Sequence, residues 1–297
     1  MLGNTFPVNK VTQILSEPDK YRLIEVLDDD IDVLKTKFDN PLVGDEIDVV
    51  ILDVETDGVD VKDCDIIELG MLHVRYSPSQ NQFMQVVREA SYLEQPATPI
   101  TEEITNITGI TNEMLEGHHF DQAAIMDWFD CDPIVIAHNA KFDRAFFEKR
   151  FNIKLLRELR WACSIKDINW YDFNYGTQRL EYLLLANGYV YNAHRALGDC
   201  KATLILLSME PEPLQKLMRN ALSSSYTIRA VRAPFECKDM LKSNDYEWAP
   251  ESQYGKHWAK SVGADEYQEE WMNLLGIYHC ENVAVVEETT ARERYKK

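Results

Sequence analysis

The first clear hydrophobic pattern of the chain begins after residue 45. Short apolar blocks predict strands at 47–54, 66–76 and 83–88, the last two joined by the turn-forming residues 77–81. Consecutive strands with short connections are typical of an antiparallel meander. The region 1–45 combines one short apolar-periodic stretch with an acidic run at 28–32, which predicts a helical extension with a solvated acidic face.

Downstream of the meander, apolar residues recur with a helical period. The pattern predicts short buried strands at 133–137 and 161–165, and helices at 98–109, 121–131, 139–150, 177–187 and 195–209. A meander followed by alternating strands and helices indicates an α/β domain, with a mixed sheet flanked by helices, over residues 46–210. The proline-containing stretch that follows predicts a linker at 211–225 and a small α+β module at 226–297.

Composition narrows the class of protein. A formal charge of −19 disfavours a protein that coats nucleic acid, yet it is compatible with a carboxylate site that recruits phosphate through bound divalent cations. The six cysteines show no C-x-x-C spacing, which predicts neither a zinc site nor a disulfide framework. The apolar runs are shorter than the roughly 20 residues of a membrane helix, and MLGNTFPVNK lacks a signal core, so a cytoplasmic protein is expected.

Two carboxylates end the first predicted strand. Asp53 and Glu55 are two residues apart, so in an extended chain they point to the same face, where like charges destabilise each other unless a cation lies between them. Alone, such a pair also fits a solvent-facing strand end. A divalent site needs more oxygen ligands. Asp143 follows the strand at 133–137, and Asp199 lies near the start of an apolar helix where a carboxylate needs a partner.

The order of these acids, with His194 five residues before Asp199, resembles a known family. The segments DVET, TGITNEML, AHNAKFD, WACS and HRALGDC are similar to those of the DEDD exonucleases of the histidine subtype, the DnaQ-like or RNase T superfamily that includes the proofreading subunit of the bacterial replicase. The tyrosine subtype would need a tyrosine where this chain has Arg195. The resemblance covers about residues 46–209 and implies a ribonuclease H-like sheet of five strands.

The resemblance also implies the chemistry of the site. Two Mg²⁺ or Mn²⁺ ions would be held with Asp53 bridging both, Glu55 and Asp199 completing the first, and Asp143 holding the second. His194 would be the general base, a task suited to an unperturbed pKa of ~6.5. The product would be nucleoside 5′-monophosphates released from the 3′ end of DNA, with single-stranded ends preferred.

The resemblance implies weaker roles for four further residues, which would contact the terminal nucleotide: Thr56, Thr108, Asn139 and Phe142. Asp57 departs from the family pattern, which often has Thr or Ser there, and adds a carboxylate beside the site. Two alternatives stay open at this point. One is an exoribonuclease or oligoribonuclease of the same superfamily, and the other is a proofreading or recruitment subunit of a polymerase or repair complex.

The module at 226–297 resembles small domains appended to some nucleases and helicases, and the whole chain resembles a group of stand-alone DnaQ-like exonucleases of bacteria or phages. Its aromatic residues and lysines fit either strand binding or the core of a module too small to fold without them. Because all motif residues precede the prolines at 211 and 213, a fragment that ends near Ser223 is expected to fold alone.

Overall fold

The computed structural model describes residues 10–28, 30–250, 253–278 and 284–296. The N-terminal extension contains helix α1 (Val11–Ser16), strand β1 (Glu25–Val26) and helix α2 (Ile31–Lys37). The acidic run at 28–32, predicted to be a solvated face, contains the beginning of α2. The Asp30 carboxylate caps this helix by accepting a hydrogen bond from the Asp32 N–H at 2.9 Å. Residues 1–9 of the predicted extension lie outside the described residues.

A mixed five-stranded sheet forms the centre of the main domain and confirms the predicted fold class. Its strand order is β4-β3-β2-β5-β6, with the first three strands antiparallel and β5 and β6 parallel to β2. The strands are β2 (Ile47–Thr56), β3 (Ile66–Ser77), β4 (Gln82–Leu93), β5 (Ile134–Ala137) and β6 (Arg160–Cys163). Both faces of β2 are buried, Val49 and Ile51 on one and Val50 and Leu52 on the other, which explains its continuous apolar run.

Helices cover both faces of this sheet. They are α3 (Glu102–Thr108), α4 (Asn112–Leu115), α5 (Gln122–Met126), α6 (Ala140–Arg150), α7 (Lys154–Arg157), α8 (Leu180–Ala186) and α9 (Ala196–Met209), and a short strand β7 (Tyr189–Val190) pairs with β1. Helix α3 begins later than predicted because Thr101 caps it, accepting from the Ile104 N–H. Within the described part of the chain, no helix has the length and apolarity that crossing a bilayer requires.

The structure differs from the linker predicted at 211–225. Helix α10 (Pro211–Leu222) occupies most of this stretch, and its residues Leu214, Leu217 and Met218 belong to the main core. Proline is tolerated in the first turn of a helix, where the backbone N–H has no intrahelical acceptor, so Pro211 starts the helix and does not break the chain.

In its described residues, the C-terminal module has a four-stranded antiparallel sheet and two α-helices, with the strand order β11-β8-β10-β9. Its elements are β8 (Ser225–Val231), α11 (Lys238–Ser243), β9 (Glu247–Ala249), β10 (His257–Gly263), α12 (Tyr267–Tyr278) and β11 (Ala284–Thr289). After β11 the chain returns to the main domain. Residues 290–296, called here the C-terminal tail, bring the Ala291 carbonyl within 2.9 Å of the Trp161 N–H and pack Tyr295 against the main core.

Candidate active site

The carboxylates of Asp53, Glu55 and Asp199 converge at the end of β2. One oxygen atom of each lies within 4.8 Å of those of the other two. The strand alternation points Asp53 and Glu55 to the face on which α9 packs, and Asp199 in the first turn of α9 meets them there. The folded chain therefore brings together three of the acids that the sequence singled out.

Asp143 approaches this cluster from α6. Its side chain is only 2% exposed, and one carboxylate oxygen accepts a hydrogen bond from the Val54 N–H at 3.2 Å, between the two acids of β2. The position follows from the turn between β5 and α6, which places the first turn of α6 beside the end of β2. All four predicted acids thus lie at one end of the sheet.

Burial and mutual repulsion raise the pKa values of these carboxyl groups. Burial, and next the charges of Asp143 and Asp199, hold the pKa of Asp53 well above its ordinary range. Burial raises the pKa of Glu55 to about 8, that of Asp143 to about 8 and that of Asp199 to about 6. Divalent cations would offset both effects, and a donor set made only of carboxylate oxygens fits Mg²⁺ or Mn²⁺.

We expect the metal-free protein to lose stability between pH 5 and 8. The unfolded chain has released the carboxyl protons in this range, since ordinary carboxyl pKa values are ~4, whereas the folded cluster with its raised pKa values still holds some. The free energy of unfolding then falls by about 1.4 kcal/mol per pH unit for each retained proton. Urea unfolding at several pH values with a chelator, and again with Mg²⁺, checks this. Equal slopes in the two series would contradict the prediction.

His194 lies at the mouth of the cluster with its ring half exposed. Its backbone adopts the left-handed conformation, with φ of 63°, and its N–H donates to Asp199 Oδ2 at 2.9 Å. The ring Nε2 lies 3.6 Å from Glu181 Oε1. The imidazole is therefore tied through its own backbone to one of the clustered acids, at the edge where solvent and substrate can reach it.

Glu68 and Gly70 of β3, which the sequence did not predict as site residues, hold the start of α9 close to this strand. Glu68 is fully buried and accepts hydrogen bonds from the Arg195 guanidinium at 2.8 Å and from the Ala196 N–H at 3.0 Å. A Cβ added at Gly70 would lie 2.3 Å from the carbonyl carbon of Ala196, so only glycine allows this approach. The signal was a charged residue and a glycine inside the apolar run IIELGML.

Tyr191 is a further residue of the site that the sequence did not predict. Its hydroxyl donates to Asp199 Oδ1 at 2.5 Å, while Asp199 Oδ2 accepts from the backbone of His194. Both oxygens of Asp199 are therefore oriented by neighbours. Tyrosine three residues before a histidine carries no recognisable signal in the sequence alone, because the contact depends on the turn into α9.

The four acids and His194 line a cleft of about 580 Å³. Two of the predicted nucleotide-contacting residues, Asn139 and Phe142, line it as well. The other two lie outside its lining: the Thr56 hydroxyl donates to the Gly58 carbonyl at 2.6 Å, and the buried Thr108 hydroxyl donates to the Ile104 carbonyl at 2.9 Å. Their substrate contacts stay a prediction.

Two further side chains complete the surroundings of the cleft. The Asp57 carboxylate stabilises the loop after β2, since its Oδ1 accepts a hydrogen bond from the Asp65 N–H at 2.6 Å. Tyr171, which the sequence analysis did not single out, lines the cleft with its side chain 58% exposed. An exposed ring at the rim of a cleft offers a face on which a nucleotide base can stack.

Comparison with known proteins places this site in a family. The RNase T model, described as exonuclease, matches residues 50–207. A DNA polymerase III PolC-type of Thermotoga maritima is 28% identical over 228 residues, covering 71% of this chain and 16% of the polymerase. The 3′-5′ exonuclease DinG of Staphylococcus aureus USA300 is 30% identical over 183 residues, covering 59% of this chain and 19% of the relative. The chain thus matches less than a fifth of the length of either relative.

Two solved structures are remotely similar. Exonuclease X in complex with 5′ overhanging duplex DNA has a TM-score of 0.41 and 23% identity, covering 57% of this chain and 98% of the other. The nuclease domain of 3′hExo, a DEDDh family member bound to rAMP, has a TM-score of 0.44 and 15% identity, covering 57% of this chain and 94% of the other.

Proposed function

Because the chain belongs to the RNase T family of exonucleases, we propose that it is a metal-dependent enzyme that hydrolyses DNA from the 3′ end and releases nucleoside 5′-monophosphates. The observation that carries the proposal is the cluster of Asp53, Glu55 and Asp199, whose oxygens lie within 4.8 Å of one another, with Asp143 buried beside it. The open cleft around the cluster suits a single-stranded end.

The four acids would hold two divalent ions, Mg²⁺ or Mn²⁺. Asp53, whose pKa is raised by burial and by the charges of Asp143, Asp199 and Glu55, is the proposed ligand of both ions. Glu55 and Asp199 would complete one ion and Asp143 the other. When bound, such ions neutralise phosphate charge, lower the pKa of an attacking water and stabilise the leaving oxygen.

The protein itself would supply the proton acceptor and the positioning. His194 would take the proton of the attacking water on a ring nitrogen, because it lines the same cleft as the acids and is exposed enough to meet substrate. Tyr191 and the His194 N–H would keep the carboxylate of Asp199 in one orientation. Asn139, Phe142 and Tyr171 would contact the terminal nucleotide.

Replacing His194 with Ala is expected to slow cleavage by about 10²–10⁴-fold, the usual effect of losing a general base, while the affinity for divalent ions stays close to that of the wild type. Single-turnover cleavage of an end-labelled strand, together with a Mn²⁺ titration, measures both quantities. If the variant loses its ions as completely as one that lacks Asp53, the histidine is a metal ligand and the proposed role is wrong.

The choice of DNA over RNA rests on the relatives, which are a DNA polymerase and a 3′-5′ exonuclease by name. The experiment that tests the proposed function compares matched DNA and RNA strands, labelled at the 5′ end, in Mg²⁺ or Mn²⁺. A DNA ladder that shortens from the 3′ end supports the proposal. Faster loss of RNA would instead favour an exoribonuclease or oligoribonuclease.

A second candidate is a proofreading or recruitment subunit, which the similarity to PolC-type polymerases over 71% of this chain favours. The two candidates differ in what the isolated chain can do. A stand-alone exonuclease turns over many strands without help, whereas a subunit binds its polymerase and gains activity from it. Multiple-turnover assays with and without a PolC-type polymerase therefore separate them.

We also propose that the C-terminal module helps to hold the strand. Trp248 on β9 is 49% exposed and lies edge-on to Trp258, with ring centroids 5.3 Å apart. Two other aromatic or lysine residues of the module have internal roles, since Trp258 packs against its core and Lys260 pairs with Glu270 at 2.6 Å. Replacing Trp248 with Ala should raise the KM for long strands and leave that for a dinucleotide unchanged.

A further inference from the structure

A second group of metal-ligating side chains lies away from the catalytic cluster. It consists of Asp48 on β2, His73 on β3 and Cys131 in the loop before β5, and one ligand atom of each lies within 4.8 Å of the others. His73 Nε2 lies 2.7 Å from Asp48 Oδ1. The donor set is one oxygen, one nitrogen and one sulfur atom, unlike the all-carboxylate cluster at the other end of the strand.

This group is separate from the candidate active site. Asp48 precedes Asp53 by five residues on the same strand, which is about 16 Å at the usual rise. An odd separation also puts the two side chains on opposite faces of the sheet. An ion at one site would therefore share no ligand with the other.

His73 is the buried member of this group. The residue is 8% exposed, and its Nδ1 is buried with no hydrogen-bond partner among the described residues. A buried polar atom without a partner is destabilising. Neutral imidazole is the form that ligates metals, through one ring nitrogen.

Cys131 is the exposed member of the five cysteines that the structure describes; Cys64 is half-buried and the other three are buried. Burial of the sulfur atom and the nearby Asp48 carboxylate raise the pKa of the thiol. A thiol beside a carboxylate is poorly arranged to act as a nucleophile, because the negative charge disfavours the thiolate. A bound cation reverses that effect and stabilises the thiolate as a ligand.

We propose that Asp48, His73 and Cys131 bind one transition-metal ion of the zinc class. Sulfur and imidazole donors select Zn²⁺ or Co²⁺ over Mg²⁺, and three protein ligands leave one tetrahedral position for water. On binding, the thiol proton goes to solvent and the sulfur–metal bond forms without any change in oxidation state. The ion joins two strands of the sheet to the loop that leads into β5, so it stabilises this end of the main domain.

A Co²⁺ titration of the 297-residue chain, with Mg²⁺ in excess to occupy the catalytic carboxylates, tests the proposal. Bound Co²⁺ should show a thiolate-to-metal charge-transfer absorption with one equivalent per chain, and Zn²⁺ should displace it. Zn²⁺ should also raise the unfolding temperature. Cys131→Ser should lose the absorption and the Zn²⁺-induced shift in unfolding temperature, while Cys64→Ser, the matched control thiol, and Asp53→Asn should keep both.

The readout is independent of exonuclease activity, because the carboxylates of the catalytic cluster give no thiolate band. Cleavage of DNA in Mg²⁺ by Cys131→Ser should equal that of the wild type, which separates this site from the proposed active site. Absence of the absorption in the wild type, or its persistence in Cys131→Ser, would overturn the assignment.

Discussion

Replacing Asp53 with Asn is expected to abolish cleavage while the protein remains folded. The residue is one of three acids whose carboxylate oxygens lie within 4.8 Å of one another, and loss of this proposed bridging ligand should lower kcat by ~10³-fold or more. The same change should raise the unfolding temperature of the metal-free protein at pH 8, because it removes a half-buried carboxylate that its neighbours repel. End-labelled DNA assays, a Mn²⁺ titration and thermal unfolding with a chelator measure these effects.

Asp57→Asn is the matched control, an acid-to-amide change four residues along. The Asp57 carboxylate accepts a hydrogen bond from the Asp65 N–H, and an amide oxygen can accept the same bond, so this variant should keep both activity and metal affinity. If Asp53→Asn lowered the activity without raising the unfolding temperature of the metal-free protein, Asp53 would affect cleavage by supporting the fold. Normal turnover by Asp53→Asn would mean that the acidic cluster is not required for cleavage.

The acids of the candidate site could be predicted because each follows a short apolar segment in a recognisable order. Asp53 and Glu55 share a strand face by simple alternation, and Asp199 stands out as a carboxylate in an apolar helix. Glu68 and Tyr191 could not be predicted in the same way. Glu68 meets Ala196, 128 positions away, because α9 crosses β3, and Tyr191 meets Asp199 only through the turn into α9; no local period records either contact.

The same distinction applies to the fold. The five strands were predictable from local apolar runs, which are decisive where both faces of a strand are buried. The sequence predicts a linker where helix α10 lies, because the prolines at 211 and 213 are typical of the end of a helix. The first turn of a helix nevertheless accommodates them. The return of the C-terminal tail to the main domain was not predictable, since ARERYKK is polar and has no periodic pattern.

The contacts of the tail argue against the expectation that a fragment ending near Ser223 folds alone, which stays a prediction. Arg144, next to Asp143 on α6, is completely buried, and its guanidinium donates to the carbonyl of Arg294 at 2.6 Å and to that of Arg292 at 2.7 Å. Arg294 is itself buried and donates to the Ser223 carbonyl at 2.6 Å. The last residues of the chain thus satisfy a buried charge beside a candidate metal ligand.

Deleting residues 290–297 should therefore destabilise the main domain by about 3–5 kcal/mol, because it removes two hydrogen bonds to the buried guanidinium of Arg144, at ~1.5–3 kcal/mol each, and leaves only its contacts with Glu148 and the Arg157 carbonyl. The lost contacts include the Ala291–Trp161 hydrogen bond and the one from the Tyr295 hydroxyl to Asp167 at 2.6 Å, so the estimate is a lower one. Because domains are typically stable by only 5–15 kcal/mol, exonuclease activity at 37 °C should fall with the folded fraction. Urea unfolding of the deletion variant beside the full chain measures the loss.

Arg144→Met tests the same contact without removing any of the chain. The change keeps an apolar stem of similar length but leaves the carbonyls of Arg157, Arg292 and Arg294 without their donor, and it too should cost about 3–5 kcal/mol. Lys149→Met, on the same helix, removes an exposed amine that contacts Asp65 at 2.9 Å and should cost less than about 1 kcal/mol. If the deletion and Arg144→Met unfold at the same urea concentration as Lys149→Met, the tail is not part of the folded main domain. If both are destabilised together, the C-terminal end of the chain helps to hold the helix that carries Asp143.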